Sequence, residues 1–123
     1  MSTAARFDRC NLDSLPLSPV RAHGGEGEIA FCRIASAAQL DGGCNFIDLA
    51  VVPPGVTIGT HRHAEDEEEF YLILSGRGHM VRDGVALTVG AGDLVRNRPG
   101  GEHGLRATGD EPLRLFVFEV RVP

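Results

Sequence analysis

Residues 55–76 read GVTIGTHRHAEDEEEFYLILSG, and the placement of polar groups in this stretch decides the reading of the chain. A β-branched run leads into His61 and His63, two positions apart at the end of an expected strand. Successive strand side chains alternate faces, so both imidazoles project into one space. An acidic run from Glu65 to Glu69 follows, then the apolar strand Phe70–Leu74, which can carry a glutamate at its mouth toward the histidines. A third histidine, His103, lies in a second turn-rich stretch far along the chain. Three imidazoles and one carboxylate are a donor set suited to a divalent transition metal.

Working outward, NFIDLAVV at 45–52 reads as a largely buried strand closed by the Pro53-Pro54-Gly55 turn. Downstream, the Gly76-Arg77-Gly78 turn precedes HMVR, and Asp83-Gly84 is a hairpin signal before VALTV. LVRN and the Arg98-Pro99-Gly100-Gly101 loop then lead to His103, and LRLFVFEVRV at 113–122 makes a long strand. Upstream, the glycine-rich turn HGGEG at 23–27 opens IAFCRIA, another strand. No segment carries a helical period. Short strands every 8 to 12 residues or so, punctuated by glycine turns, indicate an all-β antiparallel sandwich or barrel. Residues 1–22 are expected to form an N-terminal arm or edge strand that covers a neighbouring subunit, and residues 23–123 the barrel domain.

With 123 residues the chain fits one domain with one core. Apolar residues make up 42% and charged residues 24%, which excludes disorder as the organising principle. The formal charge is −5, and the twelve basic residues are all arginine, dispersed rather than striped, so no nucleic-acid partner is expected. The absence of lysine excludes Schiff-base chemistry and a phosphate-loop lysine. Cys10, Cys32 and Cys44 are odd in number and form no CxxC pair, which points to a reducing, cytoplasmic setting. Cys44 has no base at a telling spacing and reads as a small hydrophobe. No apolar stretch long enough to cross a membrane occurs, so no membrane partner is expected.

These residues resemble the cupin superfamily, small jelly-roll barrels marked by two motifs. In the first, Gly55 is followed by five residues and then His61-Arg62-His63, and Glu69 by six residues and then Gly76. The gap from His63 to Glu69 is one residue longer than the family pattern, so Glu68 is an alternative carboxylate ligand. Glu69 is preferred because its distance from Gly76 places it in strand phase with Tyr71 and Ile73. In the second motif Gly92, Gly100 and His103 hold the family's places, while Arg98 replaces a proline and Ala107 an asparagine. The resemblance covers residues 45–122. It implies an antiparallel double-stranded β-helix with one divalent ion, Mn, Fe, Ni, Co or Zn, held by His61, His63, Glu69 and His103.

The resemblance also implies a metal-dependent enzyme acting on a small organic metabolite, of dioxygenase, isomerase or lyase type. The alternative is a non-catalytic module that binds a sugar or carboxylate. No general base is identifiable, so the catalytic residues stay unassigned. Tyr71, Phe46 and Met80 are expected to face the ligand pocket by strand phase. His23 and His79 read as surface histidines, Arg62 as facing away from the metal, and Glu65 to Glu68 as a solvated loop. Cupin barrels usually pair through their sheets, so a homodimer is expected, with the arm and the LRLFVFEV strand as apolar edges.

Overall fold

The computed structural model describes residues 7–123. Among the described residues ten strands form two sheets, joined throughout by antiparallel pairings. They are β1 (Ser18–Val20), β2 (Ile29–Ser36), β3 (Cys44–Val52), β4 (Thr57–Arg62), β5 (Glu67–Ser75), β6 (Arg77–Arg82), β7 (Val85–Gly90), β8 (Leu94–Asn97), β9 (Glu102–Ala107) and β10 (Leu113–Arg121). The six-stranded sheet runs β1-β2-β3-β10-β5-β8 and the four-stranded sheet β4-β9-β6-β7. Short 3₁₀ turns at Leu12–Ser14, Ala22–Gly24 and Ala37–Gln39 are the helical segments among the described residues.

Local chemistry explains the corners. Asp83 and Gly84 both take positive φ, 51° and 79°, and connect Arg82 directly to its partner Val85. That is the two-residue hairpin whose twist matches the flanking strands. Gly59 in β4 serves a different need: a Cβ there would lie 2.1 Å from the His23 carbonyl oxygen. Its missing side chain lets the Ala22–Gly24 turn press against β4.

Between the sheets lies the core, with Val52, Tyr71, Ile73, Met80, Leu105, Leu113 and Leu115 all buried. Each such aliphatic or aromatic side chain contributes about 1.5–3 kcal/mol through burial. In β10 the alternation is strict: Leu113, Leu115, Val117 and Glu119 turn inward, while Phe116 and Phe118 sit half-buried on the outer face.

Three expectations are corrected here. His103 lies inside a strand, β9, and not in a turn-rich loop, because EHGLRA pairs with β4 and β6 on either side. Glu67 and Glu68 extend β5 rather than a solvated loop, since they continue the ladder opposite Arg121 and Val120. The LRLFVFEV segment is no edge: β10 lies between β3 and β5 in the middle of its sheet. As for the expected arm, residues 18–20 pair with β2, Ala22 joins the core, and Asp13 lies 3.2 Å from Arg114 of the same chain.

Candidate metal centre

Register alone brings the polar groups together. In the four-stranded sheet His61 of β4 stands directly opposite His103 of β9. In the six-stranded sheet one cross-strand row runs Phe46, Glu119, Glu69 and Asn97. The neighbouring row runs Arg33, Asp48, Val117, Tyr71 and Val95. Side chains in one row share a face, so the histidines of one sheet look toward the carboxylates of the other. His63 follows the end of β4, and its backbone N–H continues the ladder by donating to Gly101 O at 3.0 Å. The extra residue between His63 and Glu69 is absorbed in a turn in which Glu67 N–H donates to Ala64 O and Glu67 Oε1 accepts from Ala64 N–H.

One donor atom from each of His61, His63, Glu69 and His103 lies within 4.8 Å of every other, so this group could hold a metal ion. The structure brings Glu69, not Glu68, to the histidines. Glu68 points to the other face, where its Oε2 accepts from Arg96 Nη1 at 3.0 Å. Glu69 Oε1 lies 3.2 Å from His63 Nε2 and 3.1 Å from His103 Nε2. Neither contact is aligned as a hydrogen bond, and both imidazole nitrogens are buried with no hydrogen-bond partner among the described residues. Two buried nitrogens without a hydrogen-bond partner beside one carboxylate oxygen are unfavourable by about 1–3 kcal/mol each unless a third species engages them. A divalent cation fits that description.

The surrounding groups fix the ring orientations. His61 Nδ1–H donates to Gly59 O at 2.7 Å, which leaves Nε2 as the free donor atom. His63 Nδ1 lies 2.9 Å from Glu119 Oε1, and Glu119 Oε2 accepts from Asn45 Nδ2 at 2.9 Å. Asn97, also buried, donates through Nδ2 to Glu69 Oε1 at 3.4 Å. Burial pushes the His61 imidazole down to about 4. The Glu119 carboxylate at Nδ1, then the Glu69 carboxylate beside Nε2, hold a proton on His63 up to about 10. Burial opposes ionisation of Glu69, but His103 and His63 overcome it and bring the carboxyl down to about 2. The Tyr71 hydroxyl is raised well above its ordinary range by burial and by Glu69, so it stays neutral.

A cavity of about 540 Å³ opens onto this group. Tyr71 and Phe46 line it. Met80 does not: it is fully buried in the apolar core, so its assignment to the pocket is corrected. His79 is exposed on β6 and away from the centre. Arg62 donates to Gly100 O outside the cluster.

His23 is exposed, as read from sequence, yet it also reaches the centre. Its ring stacks on that of His61 with centroids 3.5 Å apart and planes 8° from parallel, and it lines the cavity mouth. Its backbone sits in the left-handed region at φ 51°, ψ 42°. Sequence reading also missed Glu119 and Asn97. Glu119 was legible in principle, because it shares the inward phase of Leu115 and Val117, where a lone carboxylate needs a buried partner.

The comparisons with known proteins agree with this fold. The family model for the cupin domain matches residues 48–119. The chain is 31% identical over 94 residues to an oxalate-binding protein of Thermotoga maritima, covering 76% of this chain and 77% of that one. A crystal structure of a predicted oxalate decarboxylase from Thermotoga maritima superposes with a TM-score of 0.85 at 24% identity, covering 91% of this chain and 97% of that one. A cupin 2 conserved barrel domain protein of Salinispora arenicola gives 0.71 at 24% identity, covering 93% and 88%. With a jelly roll of two antiparallel sheets and a family match across more than half its length, the chain belongs to the cupin family.

Proposed function

We propose that this cupin holds one divalent transition metal through His61, His63, Glu69 and His103, and that a small carboxylate completes the coordination sphere. The convergence of the partnerless His63 and His103 nitrogens on Glu69, at the floor of a cavity, carries this reading. Four protein donors on a six-coordinate ion leave two positions open, which favours Mn, Fe, Ni or Co over a closed structural zinc. The bound ion would supply Lewis acidity toward a carboxylate or carbonyl oxygen. The relative named for oxalate binding makes carboxylates the first ligands to test.

The test is calorimetry and thermal melting of the Mn(II)-loaded protein with oxalate and other small carboxylates. A true ligand at a hundredfold excess over its Kd adds about 2.7 kcal/mol of stability. Full metal occupancy with no response to any carboxylate would refute the ligand half of the reading.

Catalysis is the second reading, as a dioxygenase, isomerase or lyase of a small metabolite. His23 favours it, since an imidazole at the cavity mouth beside His61 is placed to exchange a proton with a bound ligand. Aerobic and anaerobic turnover assays of the Fe and Mn forms decide this, and silence with metal full removes it.

The same proposal includes a homodimer joined through the outer face of the six-stranded sheet. There Phe70 and Phe118 stack at 4.9 Å and Phe116 adjoins them, half-buried. A monomer mass by light scattering at micromolar concentration would overturn it. Three free cysteines support a cytoplasmic setting.

A further inference from the structure

Arg33 is unused by the metal reading, yet it is held as a binding group would be. It stands in the row next to Glu119 and Glu69, directly opposite Asp48 on β3. Its Nε and Nη2 donate to Asp48 Oδ1 and Oδ2 at 2.9 and 3.0 Å, a two-pronged contact that fixes the guanidinium plane. Below that plane lies the Phe46 ring, 4.4 Å from the guanidinium carbon, with Phe31 at 5.7 Å.

A guanidinium carries five N–H donors, and Nη1 of Arg33 has no partner among the described residues. The other arginines lining the cavity, Arg21 and Arg62, donate to the carbonyls of Gly25 and Gly100. Asp48 is buried, and desolvating a carboxylate to hold a partly exposed arginine in one geometry is unfavourable unless that geometry is needed.

Alongside the carboxylates of Glu67 and Glu119, the wall carries apolar side chains: Val20, Ile29, Phe31, Ala50, Ile58 and Val117. A cavity of about 540 Å³ falls in the range that encloses ligands several times the size of oxalate. Oxalate has no apolar atom beyond its two carboxylates and would leave these side chains against water. A polar pole at the metal cluster, a second at Arg33 and apolar side chains in the same wall describe a longer molecule.

We propose that Arg33 receives a distal anionic group, so that the site takes a chelating 2-oxo acid whose apolar spacer ends in a second carboxylate. This rests on the metal and carboxylate reading above, which supplies the chelating end.

The test titrates the Mn(II)-loaded protein with oxalate, 2-oxopentanoate and 2-oxoglutarate, in the native chain and in Arg33→Met. A double variant, Arg33→Met with Asp48→Leu, accompanies them so that no unpaired buried carboxylate confuses folding with binding. Metal content and melting temperature are read for each.

The native chain should bind 2-oxoglutarate roughly tenfold or more tighter than 2-oxopentanoate, the contribution of a charge-assisted contact. Both variants should lose that preference while keeping their Mn content and their affinity for 2-oxopentanoate. Oxalate binding tightest of the three, or a preference unchanged without Arg33, would overturn the proposal. Failure of the native chain to retain Mn would instead refute the metal reading beneath it, and the proposal with it.

Discussion

Replacing Glu119 with glutamine should change how metal affinity depends on pH, and the structure gives both the sign and the size. His63 is surrounded by Glu119, Glu69 and Glu67, with His61 and His103 at ring distance. The carboxylates keep a proton on it up to about 10 when no cation is bound. A metal needs the neutral ring, so at pH 7 it must displace that proton, about three units below where it leaves freely. At 1.36 kcal/mol per unit the displacement costs on the order of 4 kcal/mol. Glu69, down to about 2, and His61, down to about 4, are already deprotonated and add no slope there.

Affinity for Co(II) should therefore rise about tenfold per pH unit between roughly pH 7 and 9, with about one proton released per ion. In Glu119→Gln the Nδ1 hydrogen bond survives but its charge assistance does not. The His63 proton is then held less tightly, the slope is shallower, and the curve levels off at lower pH. Near pH 9 the lost orientation should dominate, weakening binding about 10- to 100-fold, and near pH 7 the gap should narrow. Competition against a chelator of known proton chemistry, read from the Co(II) visible spectrum, measures both curves. A native affinity flat from pH 7 to 9, or two parallel curves, would show that Glu119 does not hold the His63 proton. The same raised value stabilises the metal-free fold below about pH 6.5, and that contribution fades as pH climbs toward 10.

His61→Ala combined with His103→Ala should abolish metal uptake, and elemental analysis still finding a stoichiometric ion would remove the site. His23→Gly relieves a left-handed backbone that costs roughly 1 kcal/mol in other residues, whereas His23→Ala keeps the strain and loses the ring stack. Thermal melting should rank glycine above alanine, and the reverse order would deny the strain. Leu115→Ala empties a fully buried position opposite Ala50 and Ile73 and should cost about 2–5 kcal/mol by urea unfolding, with less than 1 kcal/mol contradicting the core assignment.

What could be read from the residues alone divides along local and non-local lines. The hairpin at Asp83-Gly84, the strand phase of Glu69 with Tyr71 and Ile73, and the turn after Val52 all depend on neighbours in sequence. Strand β9 escaped because Glu102, Gly104 and Arg106 have little intrinsic strand preference; its partners on both sides hold it extended. The central place of β10 could not be seen, since strand order is a property of the whole sheet. His23 was hidden for the same reason. Its ring reaches His61 only because Gly59 admits the preceding turn against β4, and no local pattern marks that approach. Glu119 differs: its phase in β10 announced a buried carboxylate, and only the histidine it serves lay out of reach.

The facing rows described above have one more effect. His61 and His103 belong to one leaf of the sandwich and Glu69 to the other, so a captured ion would fasten the two leaves like a rivet. Prising them apart would first require breaking coordinate bonds. Metal loading should therefore slow the rate at which the barrel opens to protease, quite apart from any shift in its equilibrium stability.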